Sequence, residues 1–356
     1  MKKPVKLLLL VLSLLLALVV AYVAYVLIDY HRLGDGELAV EAGASAVPAH
    51  TGQVYSLVSY NIGFGAYESD YGFFMDGGTE SWAWSEERLQ TNLHSIGELL
   101  AQQQADIYLL QEVDRGSTRS YQVDEAALLR TWLGAYDVTW AQNYDSPFLM
   151  YPLAQPHGSS VSGLMTLSAL TVQSARRVEL PIEESLMKLV DLDRCYSVQR
   201  LPVAGGGELV LYNLHLSAYT SDGSIATQQL ELLLEDMQRE YEAGNWCVAG
   251  GDFNKDLLGD SAAYFGAADK EYSWAQPIPA GTLDGFSVQL IAPLEETAPV
   301  PSCRNADGPY HPGQYVLTVD GFLVSDNVTV TESSVIDTGF AFSDHNPVRM
   351  CFVLEG

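Results

Sequence analysis

The sequence predicts a mixed α/β domain with many strands, carried behind one N-terminal transmembrane helix. Three observations lead there. Short β-branched stretches such as V-Y-S-L-V-S-Y (54–60) alternate with the two-residue period of a half-buried strand. Between such stretches, apolar residues recur at helical spacing, as at Leu89, Leu93, Ile96 and Leu100. Ahead of both, Leu7 to Ile28 runs for 22 residues without a charge, and about 20 apolar residues span a bilayer as a helix.

Lys2, Lys3 and Lys6 precede the apolar run and Asp29 follows it. The positive-inside rule then leaves residues 1–6 in the cytoplasm and sends the body outside. A cleaved signal peptide has a shorter apolar core, about 7–15 residues, ending in a small-x-small site. Here the run is longer, and Tyr22 stands where a cut after Ala24 would need a small residue. Residues 7–28 are therefore expected to stay as a signal-anchor. Residues 29–52, rich in Gly, Ala and small polar side chains, read as a linker that holds the domain off the surface.

The catalytic-sized body covers 53–356. After the strand at 54–60, residues 66–85 form an aromatic, glycine-containing stretch expected to join the core. A helix over 86–100 leads to a short strand at 106–110 that runs into Gln111 and Glu112. Residues 124–133 read as helix; 163–170, 196–203 and 208–214 read as strands. Leu230, Leu233, Leu234 and Met237 mark one face of a helix over 226–241. Strands at 246–249, 315–324 and 348–354 close the domain. No second domain boundary is visible.

The chain has 356 residues, 48% hydrophobic and 18% charged, which suits a packed globular body. It carries 18 basic and 45 acidic residues, a net charge of −27. Residues 1–33 hold four of the basic residues and one acid, so the remainder has 14 basic and 44 acidic residues, net −30. Such a body repels polyanions and disfavours long nucleic acid as a partner. The four cysteines form no CxxC pair, against a zinc site. Cys247 and Cys351 sit in apolar runs; Cys195 and Cys303 sit in more polar segments where an extracellular disulfide is open to them.

Polar residues recur where the apolar strands end: Asn61, Glu112, Asn213 with His215, Asp252 with Asn254, Asp320, and Asp344 with His345. Rigid strands fix positions while their loops give access, so sites gather there. Several carboxylates ending buried strands suggest a cation among them. Each motif alone has a plainer reading. G-G-D-F-N could be an Asx turn, and His215 a satisfied core histidine.

Taken in order, S-Y-N-I-G, L-L-Q-E-V-D, L-Y-N-L-H-L, A-G-G-D-F-N, T-V-D-G-F-L-V and S-D-H-N-P-V resemble the endonuclease/exonuclease/phosphatase superfamily over residues 53 to 354. The resemblance implies a four-layer α/β/β/α sandwich and metal-dependent hydrolysis of a phosphoester. It implies Glu112 as the main Mg²⁺ ligand, with Asn61 and Asp344 assisting; Mn²⁺ or Ca²⁺ are the alternatives. Asp252 corresponds to the group that activates the attacking water, and Asn254 to a carboxamide holding it and the phosphate. His345 corresponds to a phosphoryl-oxygen donor paired with Asp320. His215, with Asn213 two residues before it, corresponds to a second histidine found in the deoxyribonuclease, sphingomyelinase and 5-phosphatase branches. Its carboxylate partner is not evident, with Asp114 and Asp145 as candidates.

One departure concerns Leu167-Ser168-Ala169, where the family often has L-S-R; that arginine is either missing or supplied from elsewhere. Arg119, Arg304 and His311 are candidate substrate contacts. The expected protein is a monomeric, membrane-anchored, extracytoplasmic phosphodiesterase or phosphatase acting on a phospholipid, sphingomyelin-like or small phosphorylated substrate. The alternatives are an extracellular nuclease, drawing on Arg115, Arg119, Arg176, Arg177 and Arg304, and a catalytically silent binding module.

Overall fold

The computed structural model describes residues 3–44, 47–189, 191–218, 223–266, 274–295 and 298–356. Its helices are α1 (Lys3–Asp29), α2 (Glu86–Gln103), α3 (Glu125–Arg130), α4 (Ser224–Glu242) and α5 (Ser261–Phe265). Its strands are β1 (Gly36–Leu38), β2 (Val54–Asn61), β3 (Ile107–Asp114), β4 (Asp137–Asp145), β5 (Val161–Ser168), β6 (Ser174–Glu179), β7 (Cys195–Pro202) and β8 (Glu208–His215), followed by β9 (Trp246–Asp252), β10 (Val288–Ile291), β11 (Cys303–Arg304), β12 (Val316–Leu317), β13 (Asp320–Ser325), β14 (Val328–Val335) and β15 (Val348–Leu354).

Two mixed sheets carry the body. One runs β1-β6-β7-β8-β9-β13-β10, the other β14-β15-β2-β3-β5-β4. Each contains one parallel pair, β8 with β9 and β2 with β3. A parallel pair needs a crossover, and a long helix supplies it each time. That puts α4 outside the first sheet and α2 outside the second.

Alternation along the strands sorts the layers. Tyr55, Leu57, Ile107, Leu109 and Phe352 meet Leu211, Val248 and Phe322 between the sheets. The opposite faces turn outward. Val58, Tyr60, Tyr108 and Leu110 pack on Leu89, Leu93, Ile96 and Leu100 of α2. Val210, Tyr212, Leu214 and Ala249 pack on Leu230, Leu233, Leu234 and Met237 of α4. The result is the α/β/β/α sandwich. α2 begins where Ser85 accepts a hydrogen bond from Arg88 N, with Glu86 and Glu87 in the first turn, a favourable charge at a helix N-terminus. From the aromatic stretch, Tyr67, Tyr71 and Phe73 join the core under α2.

Helix α1 is long and apolar enough to cross a membrane. Parts of the segment after it, expected as a linker, pack against the body. β1 pairs with the edge strand β6, Glu41 bridges to Val138, and Arg32 donates to the carbonyls of Leu180 and Asp193. Small residues allow this: a Cβ on Gly43 would lie 2.3 Å from Ala135 O. The possible Cys195–Cys303 disulfide is corrected. Both thiols are free and buried, Cys195 beside Gln142 O and Cys303 beside His345.

Candidate functional site

Strand register builds the centre of the site. In the parallel β8–β9 pair His215 stands opposite Asp252, and in the antiparallel β9–β13 pair Asp252 stands opposite Asp320. Three side chains on the inter-sheet face therefore form one row at the end of the sheet. The two glycines before Asp252 make the row possible. A Cβ at Gly250 would meet Phe322 and Leu109 at about 3.0 Å or less, and Gly251, with φ 153°, passes Leu214 O where a Cβ would lie at 2.0 Å. Both neighbouring strands and the facing sheet can close in only on glycine.

The facing sheet contributes from β2 and β3. Asn61 ends β2 on its inner face and donates from Nδ2 to Asp252 Oδ2 (3.1 Å) and to Glu112 Oε1 (3.2 Å). Alternation alone would turn Glu112 outward with Tyr108 and Leu110. Instead the β3–β5 register shifts between Leu110 and Val113, and Glu112 takes φ 55°. This bulge, with a non-glycine residue in the left-handed region, re-aims the carboxylate into the cleft. The loop after β14 adds Asp344 and His345.

Asp252 is the hub. Its Oδ1 accepts from Asn254 N (2.9 Å), while Oδ2 faces His215 Nε2 at 3.6 Å and His345 Nε2 at 3.7 Å. His345 Nδ1 lies 2.8 Å from Asp320 Oδ2, which also accepts from Ser302 Oγ at 2.7 Å. Burial pulls the His345 imidazole down, but Asp320, Cys303 and Asp252 together hold it well above the usual range. Burial pushes Asp252 up to about 6, with His345 opposing and Asp320 adding. Burial also pushes Asp344 up to about 7, against His345 and Arg304 and with Glu112 and Asp76. His215 is held well below its usual value by burial and by the nearby Arg194, His345 and Arg119. The row thus pairs a charged imidazole with a neutral one across a carboxylate.

The donor set fits a hard divalent cation. Glu112 and Asp344 offer carboxylate oxygens, while Asn61 steadies Glu112 through its Nδ2 and its own Oδ1 accepts from Gly63 N. Asp252, Asp320 and His345 also bring one donor atom each within 4.8 Å of one another. There, however, Asp320 is already engaged by His345 and Ser302, so a His–Asp pair describes that group better. Glu112 adds to the upward push on Asp344, so a cation beside these two carboxyls would relieve that repulsion.

The cleft is lined by Glu112, His215, Asp252, Asn254, Asp344 and His345. Several expected residues lie elsewhere. Asn213 is buried below the row, accepting from Gln111 Nε2 (2.8 Å) and donating to the carbonyls of Leu110 and Met165. It is a strut between the sheets, not a reacting group. Arg304 is buried and donates to the carbonyls of Glu68, Tyr71, Asn305 and Gly308. It clamps the aromatic loop and does not face substrate. Arg304→Met is expected to destabilise the protein by about 3 kcal/mol, because several buried acceptors lose their donor; denaturant unfolding checks this, with KM of the folded fraction unchanged. His311 is exposed, its Nδ1 beside Pro312 O.

Arg119 does line the cleft, but it is bidentate on Asp114 (3.0 and 2.9 Å) beneath the Phe64 ring. Asp114 is thus committed, Asp145 pairs with His31, and His215 Nδ1 has no partner among the described residues. The Leu167-Ser168-Ala169 departure proves remote. β5 runs antiparallel to β3, so Ser168 pairs with Ile107 at the far end from Glu112. Sequence reasoning missed Arg194, which lines the cleft with φ 40° and donates to Leu216 O at 2.8 Å. Its sequence neighbourhood, D-L-D-R-C, gives no sign of that role.

Two packed sheets with acids and imidazoles at their shared end are the architecture of phosphoesterases and nucleases. The model of the Endonuclease/Exonuclease/phosphatase family matches residues 58–345, and the chain belongs to that family. No curated protein matches it. Among solved structures, an endonuclease/exonuclease/phosphatase from Beutenbergia cavernae DSM 12333 is 17% identical, with TM-score 0.56 over 85% of this chain and 72% of that one. ANGEL2, a 2',3'-cyclic phosphatase in complex with adenosine-2',3'-vanadate, is 16% identical, with TM-score 0.57 over 90% of this chain and 99% of that one. D. rerio TDP2 complexed with single strand DNA product is 14% identical, with TM-score 0.52 over 84% and 99%. At these identities the likeness establishes a shared fold.

Proposed function

We propose that the chain is a membrane-anchored, extracytoplasmic, Mg²⁺-dependent phosphoesterase that hydrolyses a phosphodiester or phosphomonoester of a lipid or small molecule. The observation that carries this reading is the placement of Asp252. Both its oxygens are held by hydrogen bonds, and it faces the Nε2 atoms of two imidazoles across an open cleft. A carboxylate held this way takes a proton from water as a general base. His345, kept charged by Asp320, presents Nε2 as a donor to a phosphoryl oxygen. His215, neutral, steadies the other side of the carboxylate. Asn254, with φ 48° and its Nδ2 on Leu216 O at 2.8 Å, holds the loop that orients Asp252. Glu112 and Asp344, with Asn61 assisting through Glu112, would hold a divalent cation, which would neutralise charge on the phosphate; Mg²⁺ suits the oxygen donors best, and Mn²⁺ or Ca²⁺ would fit the same set.

The purified full chain in detergent is expected to hydrolyse bis(4-nitrophenyl) phosphate with Mg²⁺, to lose that activity in EDTA and to regain it on adding Mg²⁺. Glu112→Gln should raise the Mg²⁺ concentration for half-maximal rate by roughly 10–100-fold. An unchanged metal titration would remove Glu112 from the ligand set, and EDTA-insensitive turnover would end the reading.

A nuclease would need free basic groups along the cleft. The arginines considered for that role are engaged elsewhere. Arg115 pairs with Asp124, Arg119 with Asp114 and Arg176 with Asp236, while Arg177 and Arg304 donate to backbone carbonyls. This supports a small or lipid substrate over a polynucleotide, and the retained acid–imidazole row supports an enzyme over a silent binder.

A further inference from the structure

Helix α1 touches the body beside the cleft. Tyr22 Oη donates to Phe148 O and accepts from Met150 N, both at 3.1 Å, and Tyr25 Oη accepts from Phe148 N at 2.9 Å. Tyr22 lies about 22 Å along the helix axis from Leu7, the first residue of the uncharged run, at 1.5 Å per residue. That is short of the ~30 Å hydrocarbon thickness of a bilayer. The contact therefore falls within the far leaflet, beneath the membrane–water boundary where tyrosines concentrate. Because β1 and Arg32 fasten the next segment to the body, the helix cannot swing away on a loose tether.

The loop held at that level is apolar and outward-facing. Met150 is 46% exposed, Tyr151 69% and Leu153 81%, and Phe148 is exposed beside them. Behind it runs a groove walled by Tyr22, Phe74, Met75, Leu149, Met150 and Tyr151. Met75, Tyr144 and His157 line both this groove and the catalytic cleft, so the two adjoin. His157 packs against the rings of Phe73 and Phe74, which adds an aromatic wall at the junction.

We infer that the groove holds the hydrocarbon chain of a membrane lipid phosphoester, which enters sideways from the adjoining leaflet and presents its phosphate to Asp252 and His345. This rests on the phosphoesterase and anchor readings above. The occupant follows from the wall. One side of the groove is the membrane helix itself, and the molecules that surround such a helix at that depth are lipids. A water-soluble ester has no use for an apolar channel leading to α1.

The test uses the full chain in phosphatidylcholine vesicles doped with a phosphatidylcholine that carries a diazirine on its acyl chain. After irradiation, label is expected on residues 148–153 and on Phe74 or Met75, and at least fivefold less of it in Met150→Asp with Tyr151→Asp. Both positions are exposed, so the substitutions spare the core. The same double variant should turn over long-chain sphingomyelin or phosphatidylcholine at least tenfold more slowly, with bis(4-nitrophenyl) phosphate hydrolysis unchanged. Equal effects on lipid and soluble ester, or none on either, would overturn the groove. So would cross-linking of this loop to a second copy of the chain. Soluble-ester hydrolysis with label confined to residues 3–21 overturns the groove and leaves the phosphoesterase reading standing. Label in the groove with no ester hydrolysed overturns the phosphoesterase reading and leaves the lipid groove standing.

Discussion

Asp252→Asn is expected to lower kcat by about 10³-fold or more while the protein stays folded and loses no thermal stability. General acid–base groups contribute roughly 10²–10⁴-fold, and Asp252 sits where Asn61, Asn254, His215 and His345 meet. The stability half of the prediction comes from the same burial. A carboxylate whose folded pKa is raised to about 6 disfavours the folded state once pH exceeds its ordinary value of 3.8. At neutral pH that penalty is present in full, and a neutral isostere removes it. The amide gives up one acceptor toward Asn61 or Asn254, which offsets part of the gain. Activity and melting temperature, both measured on metal-free protein reloaded for assay, should therefore move apart. A variant within tenfold of the parent rate would take the base away from Asp252. A variant that fails to fold would make the residue structural.

Much of the fold was legible because period-two alternation is a local property. β2, β8 and β15 emerge from the sequence at nearly their observed bounds, and α2 and α4 from their leucine spacing. What escaped was decided by distant chain. The stretch 315–324 reads as one strand but divides into β12 and β13, because Ser302 Oγ accepts from both Val319 N and Asp320 N and bends the chain there. Residues 29–52 have the composition of a linker, yet the unpaired edge of β6 recruits part of them. The site follows the same rule. Asn61, Asp252, Asp320 and His215 converge because strand ends and parity place them together. Glu112 converges through a bulge that no alternation pattern announces. The arginines were the weakest guide, since an arginine's role is set by its acceptors. Those of Arg304 include carbonyls more than 230 positions away in sequence.

His345→Ala should reduce kcat by about 10²–10⁴-fold, the range of a positioned proton donor. Asp320→Asn should fall short of that, and the double variant should be no slower than His345→Ala alone. Asp320 lies behind the imidazole, with its near oxygen shared between His345 Nδ1 and Ser302 Oγ, so whatever it does for the reaction it does through His345. Ser302→Ala should cost least, about tenfold or less, because it removes one of the two contacts that orient the carboxylate. The ordering Ser302, Asp320, His345 is what a relay of positioning predicts, and groups acting as a unit are strongly non-additive. If the losses from Asp320→Asn and His345→Ala multiply in the double variant, Asp320 acts independently. The group of Asp252, Asp320 and His345 would then have to be read as a cation site in its own right.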